Sequence, residues 1–303
     1  MSEKYELIAA EKADPTSPYP VIKMCTWLQV SSSGFYDHAN AVDTLRQQRR
    51  TKIITHVRAA HDAGRGAYGV RRVHAVLTRS HDPEVASCSI KLVRAVMAEQ
   101  GLSGCQPRAY KRTTRPDPTA SGQPADLLSR GFTADRPGVK LVGDITYVRT
   151  WTGWLYLATV IDCHTRQVVG WSMADHMRTS LVCDALSMAV GRGGLEPEAI
   201  FHSDRGSQYT SAEFAVHLGV LKLRGSMGAV GQCWDNALAE SFFGALKTEL
   251  VYRTVFTTRA KARHAIAEYI EVFYNRTRLH SGLGYKTPAE VAAEHQQLNT
   301  NAA

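Results

Sequence analysis

The 303-residue sequence predicts a mixed α/β core preceded by an all-helical, basic region. Three observations predict it. Aromatic and β-branched runs of strand length begin only after residue 138. Apolar residues at helical spacing fill residues 42 to 105. Between them lies "RTTRPDPTASGQPADLLSRGFTADRPGVK", whose Pro, Gly, Ser and Thr content reads as a linker over 106 to 138. The length suits two or three domains. Hydrophobic residues at 44% and charged residues at 21% are ordinary for a globular chain.

In chain order, "PYPVIKMCTWLQVSSSGFYDH" predicts two short helices around a turn within an N-terminal segment, 1 to 40. Val21, Met24, Cys25 and Leu28 have helical spacing, and "VSSS" offers an N-cap. A helix-turn-helix and a plain helical hairpin both fit. Residues 41 to 105 predict further helices. Val70, Val73, Val76 and Leu77 form one apolar stripe, with Arg71 and Arg72 on another face. Ile90, Val93, Val96 and Met97 form a second stripe, which Gly101 ends. From Arg46 to Arg115 there are 15 Lys or Arg against four acids, inside a chain of net charge +8. A short charge run is usually a solvated helix face; one spread over such a length points to a polyanionic partner.

The core, 139 to 250, opens on three strand candidates, "KLVGDITYVRT", "WLYLATVIDC" and "RQVVGWSM", which form an antiparallel meander. A helix over 178 to 191 follows. Then come the short strand "AIFHS", the helix "SAEFAVHLGV" and the short strand "LKLRG". The glycines of "SMGAVGQC" predict a loop. "WDNALAESFFGALKTEL" predicts a helix with Asp235 as N-cap and Leu238, Phe242, Ala245 and Leu246 facing inward. A last long helix, "TTRAKARHAIAEYIEVFYN", and a tail complete the core over 251 to 303. The order βββαβαβα fits a ribonuclease-H-like plan, a mixed five-stranded sheet with flanking helices.

Three acids stand where a core favours apolar groups. Asp144 lies inside "LVGDITYV", Asp204 ends a strand in "FHSDRGSQYTS", and Glu240 sits between "ALA" and "FF". The fold plan places Asp144 mid-sheet, Asp204 on the adjoining strand and Glu240 on a helix against that sheet. Clustered carboxylates repel and raise one another's pKa. Hard divalent cations relieve that repulsion, and two of them about 4 Å apart suit phosphoryl transfer. The competing expectation is three acids each paired with a nearby Arg or Lys.

"GDITYVRTWTGWLYLATVID", "FHSDRGSQYTS", "SMGAVGQCWDNALAESFFGALKTEL" and "FYNRTRLHSGLGYKTPAE" together resemble the second-frame transposases of bacterial insertion sequences. These belong to the retroviral-integrase-like Asp-Asp-Glu superfamily. "YPVIKMCTWLQVSSSGFYDH" and "AYGVRRVHAVL" resemble the helical N-terminal segments of that family. The resemblance implies a metal-binding triad of Asp144, Asp204 and Glu240, with 35 residues between the last two. It implies two Mg²⁺ ions, with Mn²⁺ able to substitute. Lys247, seven residues after Glu240, matches a basic residue that contacts DNA, although an exposed helix lysine is the plainer reading. Ser203, Arg205, Gln208, Tyr209 and Asn236 are candidates to orient the triad or touch DNA, and Asn236 could equally support its helix start. Tyr274, Asn275, Arg278 and His280 match a C-terminal motif that serves as a structural clasp or a DNA contact. Two positions depart from the family pattern: Leu141 stands where Trp is common, and Gly228 changes "SMS" to "SMG".

The activity so implied is 3′-end cleavage at terminal inverted repeats, then strand transfer through a circular intermediate. A catalytically idle DNA-binding regulator and a purely hydrolytic nuclease are the rival readings. The implied partners are double-stranded DNA, at least one further copy of the chain, and the first-frame product of the same element. Six scattered cysteines without a CxxC pair, 12 histidines without zinc spacing, and no 18-residue apolar run fit a cytoplasmic chain that binds no membrane.

Overall fold

The computed structural model describes residues 2–40, 44–106, 127, 133–228 and 236–302. Most of the expected linker, the loop "AVGQC" and the N-cap expected at Asp235 lie outside the described residues. The chain divides into two compact units, Met1–Thr55 and His56–Ala303. No helix among the described residues is long and apolar enough to cross a membrane.

In the first unit, α1 (Ser2–Ala13), α2 (Val21–Trp27) and α3 (Ser32–Ala39) enclose Tyr5, Ile8, Met24, Cys25 and Phe35. Helices α2 and α3 are the pair expected around a turn, and Ser31 caps α3 by accepting from Gly34 N at 3.3 Å. Helix α1 was not expected from its charged sequence; it supplies Tyr5 and Ile8, without which so small a core stays open.

Helix α4 (Leu45–Ala63) crosses the unit boundary. Its start is a capping box: Thr44 N donates to Gln47 Oε1 at 2.8 Å, and Gln47 N donates to Thr44 Oγ1 at 3.3 Å. Helices α5 (Val70–Leu77), α6 (Pro83–Ala86) and α7 (Ile90–Glu99) follow. Val73, Leu77, Val93, Val96 and Met97 are buried, as their stripes predict. The division between the two units thus falls inside α4. The cause is a set of long-range bonds to the C-terminal segment. Tyr68 Oη donates to Thr277 O at 3.0 Å, Arg65 pairs with Glu268, and Arg79 Nη1 lies 3.0 Å from Glu290.

The sheet has the order β3-β2-β1-β4-β5, with β1 (Lys140–Thr150), β2 (Gly153–Asp162), β3 (Val168–Ala174), β4 (Ile200–Ser203) and β5 (Arg224–Met227). The first three strands form the predicted antiparallel meander; β4 and β5 join β1 in parallel. Strand β5 starts three residues later than "LKLRG" predicts and takes Ser226 and Met227 from the expected loop. The β1–β2 turn requires Gly153, whose φ is +108° and whose missing Cβ would meet the Arg259 guanidinium at 2.6 Å. Helices α8 (Thr179–Gly191) and α9 (Ala212–Val220) share a core with Leu141, Ala158, Val160 and Phe201 on one side of the sheet. Helices α10 (Ala237–Glu249) and α11 (Arg259–Glu268) pack against β1 and β2. The last long helix does not continue as expected. It becomes π-helical over Tyr269–Tyr274, and Asn275 N reaches back to Ile270 O at 3.0 Å. Helix α12 (Pro288–Ala302) ends the fold.

Candidate active site

Asp144 sits in the middle of the central strand, directly opposite Thr159 of β2. Close packing sets the backbone there. A Cβ on the preceding Gly143 would stand 2.2 Å from the Phe201 ring, so only glycine lets β1 and β4 approach as they do. Asp144 Oδ1 accepts from Ile145 N at 2.7 Å. Burial, then the charge of Asp204, push the Asp144 carboxyl up to about 7, and Glu240 adds to the rise.

Asp204 follows the last residue of β4 and is exposed. Its Oδ1 accepts from Gly206 N at 3.0 Å. The polar run after it builds the loop. Arg205 Nε donates to Gly228 O at 2.8 Å, Gln208 Nε2 donates to Met177 O at 2.9 Å, and Ser211 caps α9. Ser203 is buried and its Oγ donates to Asp204 O at 3.0 Å. Glu240 lies exposed in the first turn of α10, and desolvation raises its pKa. Lys247, in the last turn, holds its Nζ 5.7 Å from the Tyr147 ring centre. Burial lowers the Lys247 pKa, and the nearby Asp144 charge opposes that.

Asp144 on β1 thus lies within electrostatic reach of Asp204 at the end of β4 and of Glu240 on α10. Among the described residues none of them forms an ion pair. Nor are any three His, Cys, Asp or Glu side chains among the described residues gathered closely enough to form a ready-made metal cage. The donors are all hard oxygens, the chemistry that Mg²⁺ and Mn²⁺ take and that zinc sites usually supplement with nitrogen or sulfur.

Several expected contacts are corrected. Tyr209 is buried, with its ring 6.0 Å from that of Phe201 and 5.5 Å from that of Phe214, which makes it a core residue, and the charges of Asp144 and Asp204 act on its hydroxyl. Its ring forms part of the wall of a cavity of about 460 Å³ that includes none of the three acids. Asn236 is also buried, and its Nδ2 donates to Gly143 O at 3.0 Å, which ties the start of α10 to β1. Arg72 turns away from solvent, with Nε donating to Leu279 O at 3.0 Å and Nη1 4.0 Å from Glu249, whereas Arg71 is exposed.

Tyr274, Asn275, Arg278 and His280 make a clasp. Asn275 Oδ1 accepts from Val168 N and its Nδ2 donates to Val168 O, both at 3.0 Å. Arg278 Nε and Nη2 donate to Glu249 at 2.8 and 2.7 Å. Tyr274 stacks edge-on against Phe242 and against His280. Burial and the Arg278 charge hold the His280 imidazole down to about 3, so it stays neutral. Glu249 was missed as a site of interest; only its place in the final turn of an amphipathic helix hinted at burial. Asp162, another buried acid, accepts from Gly138 N, Thr165 N and Thr165 Oγ1 and is a turn former.

Residues 134–233 match the family described as "Integrase core domain", 221–288 match a second family of that description, and 48–110 match "HTH-like domain". The transposase InsF for insertion sequence IS3A of Escherichia coli K12 is 39% identical over 292 residues, covering 95% of this chain and 97% of InsF. Among solved structures, the HTLV-2 integrase catalytic core domain in complex with magnesium aligns with a TM-score of 0.42 and 18% identity, over 52% of this chain and 97% of that one. The simian T-cell lymphotropic virus intasome aligns with a TM-score of 0.45 and 16% identity, over 74% of each chain.

Proposed function

The chain belongs to the transposases of IS3-type insertion sequences, and from that premise we propose that Asp144, Asp204 and Glu240 catalyse Mg²⁺-dependent cleavage and strand transfer at the element's ends. One observation carries this reading: Asp144 is raised to about 7 by burial and by the charges of Asp204 and Glu240, which come from separate elements, and none of the three has a guanidinium partner among the described residues. Bound divalent cations would supply charge neutralisation at the phosphate and a more acidic attacking hydroxyl.

The chain's own residues do the positioning. Asp144, on the rigid central strand, fixes the site; Asp204 and Glu240 close on it from a loop and a helix. Lys247 presents a cation beside them, suited to a DNA phosphate. In the first transfer water attacks the phosphorus and the 3′ oxygen leaves. In the second that freed 3′ hydroxyl attacks the phosphorus of another phosphodiester and displaces the 3′ oxygen of that linkage, which leaves as a hydroxyl. No protein nucleophile forms a covalent link. End binding falls to the HTH-like region, where Arg71, Lys91 and Arg94 are exposed on α5 and α7. Two ends held together call for at least two copies of the chain on DNA, with the first-frame product as a further partner.

Labelled element ends incubated with Mg²⁺ test the reading. Wild type is expected to yield joined strands, and Asp204→Asn none. Strands cut but never joined would make the protein a nuclease, and binding without chemistry would make it a regulator.

A further inference from the structure

Among the described residues, three buried side-chain polar atoms lack a hydrogen-bond partner: Thr159 Oγ1, His176 Nδ1 and Asn236 Oδ1. Two of the three flank Asp144. Thr159 is its direct antiparallel neighbour on β2, and directly opposite residues point to the same face of a sheet. Asn236 holds the carbonyl of Gly143, one residue before Asp144. A buried, unpaired hydroxyl is costly and rare, and Thr159 is only 1% exposed. A fold that needed only a β-branched filler at this position could use Val at no such cost.

We propose that Thr159 is a positioning residue for Asp144, its hydroxyl donating to the carboxylate when that group holds a divalent cation. Asp144 Oδ1 is already engaged by Ile145 N, so the Thr159 donor serves the other oxygen and fixes the rotation of the carboxylate. The unpaired Asn236 oxygen, an acceptor, suits a water carried by the same cation. This inference rests on the metal reading given above.

The test titrates the full chain with Mn²⁺ alone, followed by water-proton relaxation, in wild type, Asp144→Asn, Thr159→Val and Thr159→Ser. Thr159→Val is expected to weaken Mn²⁺ binding about tenfold, the scale of outer-shell partners, with the melting temperature unchanged or raised. Thr159→Ser is expected to restore the affinity. Mn²⁺ binding equal to wild type in Thr159→Val, together with its loss in Asp144→Asn, overturns this inference alone. So does a Thr159→Ser protein as weak as Thr159→Val. Binding unaffected by Asp144→Asn overturns the metal reading and this inference with it.

Discussion

Helix α10 carries a glutamate at each end, and the two live under opposite rules. Glu240, in the first turn, is exposed, unpaired among the described residues, and within electrostatic reach of Asp144. Glu249, the last residue, is sealed against Arg278, with their side chains 6% and 8% exposed, and accepts a further bond from Tyr269 Oη at 2.8 Å. One end of the helix keeps charge available for a ligand; the other spends charge on holding the C-terminal segment. An acid's chemistry here follows from the partner supplied by the rest of the fold, not from its place on the helix.

Exchanging each glutamate for its neutral isostere sharpens that contrast most. Glu240→Gln should lower strand joining by on the order of 10³-fold, with stability to urea unchanged or raised because a repulsion is removed. Glu249→Gln should cost about 3–5 kcal/mol of stability, because the Arg278 charge is left buried without its partner. A Glu249→Gln protein as stable as wild type would break the distinction between the two ends.

A smaller effect is expected at the other half of the clasp. Asn275→Ala removes both partners of the buried Val168 backbone, so denaturant unfolding should show a loss of about 1–3 kcal/mol. Strand joining per folded molecule should stay near wild type. A selective loss of DNA binding with full stability would instead make this segment a DNA contact.

A further effect concerns pH. The folded Asp144 carboxyl, at about 7, lies above its unfolded value, so the folded state holds the extra proton between those two pKa values. Its stabilising contribution is complete below the unfolded pKa and is lost as pH rises through about 7. In cation-free protein this slope should vanish in Asp144→Asn. Melting temperature measured from pH 4 to 8 in chelator checks it.

Much of the catalytic half was legible along the chain. "WLYLATVID" is apolar and β-branched for a full strand, and its opposite register with "GDITYV" follows from the intervening turn. Asp144, Asp204 and Glu240 stood out because each interrupts an apolar context. Legibility failed where partners come from far away. Tyr209 sits in a polar run, yet Phe201 and Phe214 on either side in sequence close around it. Arg71 and Arg72 are neighbours of the same type, and only the distant Leu279 carbonyl and Glu249 separate their roles. The π-helical turn at Tyr269–Tyr274 leaves no mark in apolar periodicity; it exists to swing Asn275 onto Val168. Helix α1 was hidden by its charges, because two buried residues, Tyr5 and Ile8, make too weak a stripe to read.

Whether Asp144, Asp204 and Glu240 hold divalent cations at a DNA end is read most directly by anomalous scattering from a Mn²⁺-loaded complex of the full chain with two element ends. Peaks bounded by carboxylate oxygens of all three residues and by the terminal phosphate are the expected result. Peaks elsewhere, or the three acids locked separately onto arginines in that complex, would contradict it.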